Sequence, residues 1–184
     1  MNICILAETD KSECRTPLLP LDIENIRKKN KDFNFYYEKS NQRIFKDKSY
    51  KSIGCKEYIN QKIDLFISIK SLKKKFIKEG CGYLLFSKTI QKQPDNLELL
   101  KKILNKQGSL IDYELIKNTN GKKLFLEKEL NIDTLKSSAK ISRKLSSILP
   151  KIIKSLSEDT IEENFIVKKG YLNYRYIQLM NYLM

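Results

Sequence analysis

The chain holds 184 residues, 41% of them hydrophobic and 32% charged, a balance that suits one cored domain and excludes a disordered tail or a membrane-embedded chain. No run approaches the roughly 20 apolar residues of a membrane-crossing helix, and MNICILAETD lacks the basic start and long apolar stretch of a secretory signal. The net charge is +14, no histidine occurs, and the four cysteines (Cys4, Cys14, Cys55, Cys81) form no C-x-x-C pair, so no metal site is expected and reduced thiols in a cytoplasmic protein are.

Taken in chain order, Asn2 to Ala7 is an apolar run suited to a buried strand. The next stretch, ETDKSECRTPLLP, holds Pro17 and Pro20 and reads as a loop. LDIENIRKKN then carries Leu21, Ile23 and Ile26 at helical spacing and predicts a helix ending near Asn30. DFNFYYEK is a strand candidate. Asp47 is positioned to cap a short helix through Ile53, closed by Gly54. Cys55 to Ile59 predicts a brief strand and KIDLFISIK a stronger one. The alternation of helix and strand continues through KKKFIKEG, GYLLFSK, PDNLELLKKILNKQG and SLIDYELI. Leu97, Leu100, Ile103 and Leu104 repeat at helical spacing between Pro94 and Gly108. Such alternation predicts an α/β domain with a mostly parallel sheet flanked by helices. Lys122 to Leu126 suggests a last strand, and Asp133 to Leu156 a long amphipathic helix interrupted near Pro150. The ending GYLNYRYIQLMNYLM sets Tyr171, Tyr174, Ile177 or Gln178, and Asn181 on one helical side, as core or a docking face.

The positive charge is mostly lysine, since only Arg15, Arg27, Arg43, Arg143 and Arg175 among the 36 basic residues are arginine. Nucleic-acid readers lean on arginine for bidentate and stacking contacts. Lysine, isoleucine and asparagine are inflated together here, as A- and T-rich coding would inflate them. A solvated lysine surface is therefore expected, with a phosphate-tracking basic patch as the disfavoured alternative.

Three local features could carry chemistry. Arg15 lies in the loop after the first strand, where α/β domains bind ligands, and a guanidinium pairs bidentately with a carboxylate; a solvated surface arginine would look the same in sequence. Lys70 ends DLFISIK and Lys88 ends GYLLFSK. If those strands are parallel neighbours, both ammonium groups emerge at one sheet edge, where they could serve acid-base chemistry or bind an anion. Two strand-terminal lysines could also arise by chance in so lysine-rich a chain. Asp112 and Glu114, two apart in LIDYE, would share a strand face. None of the six glycines forms G-x-G-x-x-G or a Walker loop, so the chain encodes no recognisable cradle for a nucleotide phosphate.

Together these stretches resemble the substrate domain of the alanine dehydrogenase and lysine-forming saccharopine dehydrogenase superfamily. ILAETDKSECRTPLLP is similar to its opening, RIFKDKSYKSIGC to its F-x-D-x-x-Y-x-x-x-G segment, and DLFISIK to the strand delivering its active-site lysine. LLFSKTIQKQPDNLELL resembles its F-[AS]-H-T-x-K-x-Q segment, and GSLIDYELI its L-x-D-x-E strand. The resemblance implies a flavodoxin-like substrate domain over residues 1–126, with residues 127–184 as a C-terminal helical return segment packing on the same domain and no Rossmann domain. SAKISRKLSSILPKIIKSL and the tyrosine-rich ending are similar to that return segment.

Carried over, the resemblance makes Arg15 the substrate-carboxylate arginine, Lys70 the catalytic lysine, and Glu114 a substrate-site glutamate that tunes the catalytic groups. The family's acid-base histidine falls on Lys88, and Ser71 stands where a glutamate is common. The implied ligand is a small amino acid or oxo acid. No cofactor is expected in this chain, and NAD would enter only through a separate partner, such as a Rossmann-domain protein; a homodimer is the other partner considered. Three readings stay open: a saccharopine or alanine dehydrogenase-like oxidoreductase domain, truncated and inactive alone; a noncatalytic anion- or amino-acid-binding module; and a basic module contacting nucleic acid.

Overall fold

The computed structural model of the chain describes residues 1–89, 94–118, 120–126, 133–157 and 166–168. Six strands run parallel: β1 (Asn2–Ile5), β2 (Asn34–Tyr37), β3 (Lys56–Glu57), β4 (Leu65–Ile67), β5 (Gly82–Leu85) and β6 (Ser109–Asp112). β7 (Ile166–Lys168) adds antiparallel to β6, so the spatial order is β3-β2-β1-β4-β5-β6-β7. The central run β2-β1-β4-β5-β6 is the doubly wound, flavodoxin-like order, and its direction of winding reverses between β1 and β4. The helices are α1 (Pro20–Lys29), α2 (Asp47–Ser52), α3 (Pro94–Asn105) and α4 (Thr134–Ser157).

The strands read as continuous apolar runs because both sheet faces are covered. Alternation along each strand divides the core in two. Ile3, Ile5, Leu65, Ile67, Leu84 and Ile111 face the layer that holds Ile23 and Ile26 of α1 and Ile141, Leu145 and Leu149 of α4. Cys4, Phe66, Tyr83, Leu85 and Leu110 face the layer that holds Leu100, Ile103 and Leu104 of α3. Pro20 opens α1, Asp22 lies in its first turn and Arg27, Lys28 and Lys29 in its last, so the charges complement the helix dipole. All four cysteines are free thiols. Among the described residues no helix is long and apolar enough to cross a membrane.

Several expectations are corrected. KKKFIKEG holds a single 3-10 turn, Lys74–Phe76, because only Phe76 is buried, against Phe66 at 5.5 Å between ring centroids. Asp47 does not cap α2. The cap position is Lys46, and the Asp47 carboxylate instead pairs with Arg43 at 2.8 Å. Lys122 to Leu126 is no sheet strand: it folds back on the preceding residues through an isolated bridge, Lys117 to Lys123, turning at Gly121 with φ of +73°. Helix α4 runs through Pro150 uninterrupted, since Leu149 on one side of the proline and Ile152 and Ile153 on the other are all buried against the sheet. Within the return segment, Ile166 to Lys168 is a strand. The expected helical stripe of Tyr171, Tyr174, Ile177, Gln178 and Asn181 lies outside the described residues.

Candidate functional site

Ligands of open α/β sheets bind beyond the carboxyl ends of the strands, where the winding reverses. Here that crevice is formed by the loop after β1, which carries Glu8, Glu13 and Arg15, and the loop after β4, which carries Lys70. Glu8 closes the two loops on each other. Its Oε1 accepts the Ile69 amide at 2.7 Å, and its Oε2 accepts those of Lys70 and Ser71 at 3.1 and 2.8 Å. Burial pushes the Glu8 carboxyl above its ordinary range, against the opposing pull of those amides.

The structure brings Arg15 and Lys70 together on Glu13. Arg15 Nε donates to Glu13 Oε1 at 2.6 Å and Nη2 pairs with Oε2, a bidentate clasp between groups only 8% and 7% exposed. Lys70 Nζ stands 3.6 Å from the same Oε2 and is 37% exposed. Burial alone would raise the Glu13 carboxyl, but the hydrogen bonds and charge of Arg15, with Lys70 behind them, reverse this and hold it below its ordinary range. Glu13 is thus ionised at neutral pH, and two cations share one carboxylate.

Three serines of α4 fix the Arg15 loop. Ser137 Oγ accepts from Arg15 Nη1 at 3.4 Å, Ser138 Oγ from the Thr16 amide at 3.1 Å, and Ser142 Oγ from the Leu19 amide at 2.8 Å, while Ser142 donates to Asp22. On the other side, Gln42 Nε2 reaches the carbonyls of Glu8, Asp10 and Glu13 at 3.3, 2.8 and 3.1 Å. The RIFKDKSY segment supplies the floor. Tyr50 donates to the Leu18 carbonyl at 2.8 Å and meets Thr16 Oγ1 at 2.7 Å, and the buried Arg43 guanidinium lies 4.6 Å from the Tyr50 ring centre.

Lys88 and Glu114 are organised by a different acid. Buried Asp112 ends β6 and accepts the Ser87 hydroxyl at 2.5 Å, the Lys88 amide at 3.1 Å and the Glu114 amide at 2.9 Å. Lys88 lies three residues past β5, as Lys70 lies three past neighbouring β4, with φ of +52°. Glu114 and Asp112 do not share a strand face: Asp112 is the last strand residue, and Glu114 sits on the following 3-10 turn, Tyr113–Leu115. Sequence reasoning missed Glu8, Glu13 and the serines of α4. Glu13 had a readable sign, two positions before Arg15 on the same loop; the serines had only their i, i+1, i+5 spacing.

Residues 4–130 match the family described as alanine dehydrogenase/PNT, N-terminal domain. Alpha-aminoadipic semialdehyde synthase of Arabidopsis thaliana is 37% identical over 127 residues, covering 65% of this chain and 12% of that protein. Its mitochondrial counterpart from Rattus norvegicus is 31% identical over 114 residues, 61% of this chain and again 12% of the relative. The chain therefore spans about an eighth of the length of these relatives. Among solved structures, an L-alanine dehydrogenase superposes with a TM-score of 0.55 at 14% identity, over 66% of this chain and 35% of that one. A transhydrogenase from Sinorhizobium meliloti gives 0.53 at 14% identity, over 65% and 37%. Those two likenesses bear on the fold.

Proposed function

The chain belongs to the alanine dehydrogenase/PNT N-terminal domain family, and on that premise we propose that residues 1–126 bind a small amino acid or oxo acid by its carboxylate, as the substrate half of a saccharopine or alanine dehydrogenase-like unit. The observation that carries this reading is the meeting of Arg15 and Lys70 on Glu13 at the winding reversal. A guanidinium and an ammonium converging on one point are the groups that pair with a carboxylate. Lys70 is the reachable member and meets the ligand first; Arg15, held by α4, is the orienting one.

In this reading the pieces 127–184 belong to the same unit, an assignment supported by the serine contacts from α4 to the Arg15 loop. NAD, which would accept or supply the hydride, is held by a separate Rossmann-fold partner, and the chain alone is inactive. This chain's own residues grip the carboxylate and, at Lys70 Nζ, hold or pass the proton. A noncatalytic binding module is the second reading, and it is favoured by Lys88, an ammonium where the resemblance sets an imidazole.

Titration calorimetry with pyruvate, L-lysine and saccharopine tests the site. One of them binds saturably, and Lys70→Gln weakens it at least about tenfold, roughly 1.4 kcal/mol. Undiminished affinity in Lys70→Gln would remove Lys70 from the site. Turnover of NADH by the chain alone would sink the partner requirement, and absence of turnover with any Rossmann partner supplied would favour the noncatalytic reading.

A further inference from the structure

The segment that carries Lys70 forms neither helix nor strand between the end of β4 at Ile67 and the 3-10 turn that starts at Lys74, so its course depends on what reaches it from neighbouring loops. Three ties do. Glu38, just past β2, accepts the Ala7 amide on Oε2 at 2.9 Å and pairs through Oε1 with Lys73 Nζ at 2.7 Å. Thr9 donates its hydroxyl to Ser71 Oγ at 2.8 Å. Glu8 accepts the amides of Ile69, Lys70 and Ser71 at 2.7, 3.1 and 2.8 Å. The first two ties hold side chains, whereas Glu8 holds backbone, at three consecutive residues with Lys70 in the middle. A lysine stem is long and flexible, so the place of its Cα decides where its ammonium can reach, and here Nζ stands 3.6 Å from Glu13 Oε2.

We propose that Glu8 is a positioning residue of the carboxylate site, holding the backbone of Lys70 where its ammonium converges with Arg15. Glu8 is only 8% exposed and both of its oxygens are occupied by amides, so it acts through Lys70 and not on a ligand. An ionised acceptor suits this task, because charge-assisted hydrogen bonds are roughly twice as strong as neutral ones, while a glutamine would turn an NH2 donor toward amides that are donors themselves. A displacement of about 1 Å can cost an oriented contact up to about a hundredfold. The assignment rests on the carboxylate-binding reading for the part Lys70 plays.

The experiment is a double-mutant cycle on the full chain, with pyruvate, L-lysine and saccharopine titrated calorimetrically at about pH 7. Glu8→Gln keeps the size of the side chain and removes its charge. It lowers the affinity for whichever ligand binds about fivefold or more, and Glu8→Gln/Lys70→Gln binds within about twofold of Lys70→Gln alone, since a residue that acts through Lys70 then has nothing to act on. Losses that multiply in the double variant would overturn the proposal, and so would unchanged affinity in Glu8→Gln. A second measurement needs neither ligand nor substitution, and decides the matter if Glu8→Gln does not fold. The groups facing the Glu8 carboxylate are the three amides, the Ser71 hydroxyl and, from the end of β6, the Tyr113 phenol. As pH falls, the amide protons of Ile69, Lys70 and Ser71 shift together in NMR spectra with one midpoint above 4.5, which separates Glu8 from Glu13, whose carboxyl is held below that value. Different midpoints, or none, would detach Glu8 from the loop and overturn the assignment. If none of the three ligands binds the unaltered chain, the carboxylate-binding reading fails, while the amide titration still decides whether Glu8 holds Lys70.

Discussion

The two loop clusters at the carboxyl edge of the sheet are built on the same device, a buried carboxylate that takes amides, and differ in what is added to it. Between β1 and β4, Glu8 crosses from one loop to take three amides of the other, and a second acid, Glu13, then gathers Arg15 and Lys70. Between β5 and β6, Asp112 alone takes a hydroxyl and two amides. One buried carboxylate suffices to set backbone against backbone. A second carboxylate, Glu13, also sets cation against cation. The first cluster has both layers, and in the second Asp112 sets the backbone layer.

The comparison breaks most visibly if the clamps are removed. Glu8→Ala strands three backbone donors and should cost about 3–5 kcal/mol, more than Asp112→Ala at about 2–3 kcal/mol. Urea unfolding midpoints with a common slope measure both, and an equal or reversed order would mean that the two clamps are not ranked by the amides they hold. Acidification then separates the acids by sign. Glu13 lies below its ordinary 4.5, so its contribution is complete above that value and is lost as pH falls through its lower folded value. Asp112, raised above 3.8 chiefly by burial with hydrogen bonds opposing, behaves inversely: its penalty is complete above the folded value and is released as pH falls from there toward 3.8. Melting temperatures followed from neutral pH down to about 3 should therefore show the deficit of Glu13→Gln shrinking on acidification. Over the same range the wild type should gain on Asp112→Asn. Parallel curves would remove the distinction. The smallest effect concerns Lys88, whose left-handed backbone disfavours a side chain while glycine costs entropy in the unfolded chain. Lys88→Gly should gain about 0.5 kcal/mol, read from the same urea midpoints. A loss instead would assign Lys88's side chain a stabilising part.

Much of this was legible in the residues, for reasons that differ by element. Strands buried on both faces announce themselves as apolar runs, and α3 and α4 by long amphipathic periodicity, because a single local property decides each. Arg15 and Lys70 were findable because loops after strands are where such sheets bind. Glu8 and Glu13 were not, since a carboxylate's role depends on which donors reach it, and those of Glu8 arrive from 61 to 63 positions away. Pro150 misled because packing on both sides of it outweighs one lost hydrogen bond. KKKFIKEG misled because the rhythm of neighbouring elements suggested a helix that its own apolar content cannot support.

The serines of α4 meet the Arg15 loop across 122 or 123 positions of sequence. A ribosome adding about 5–20 residues per second finishes that loop many seconds before the helix that pins it exists. During that interval β1 to β6 can pair in order, each parallel strand joining as its crossover is completed, while Arg15 and Thr16 wait for their partners. The Arg15 loop is therefore made well before it can be fixed, and the emergence of α4 is the event that completes it.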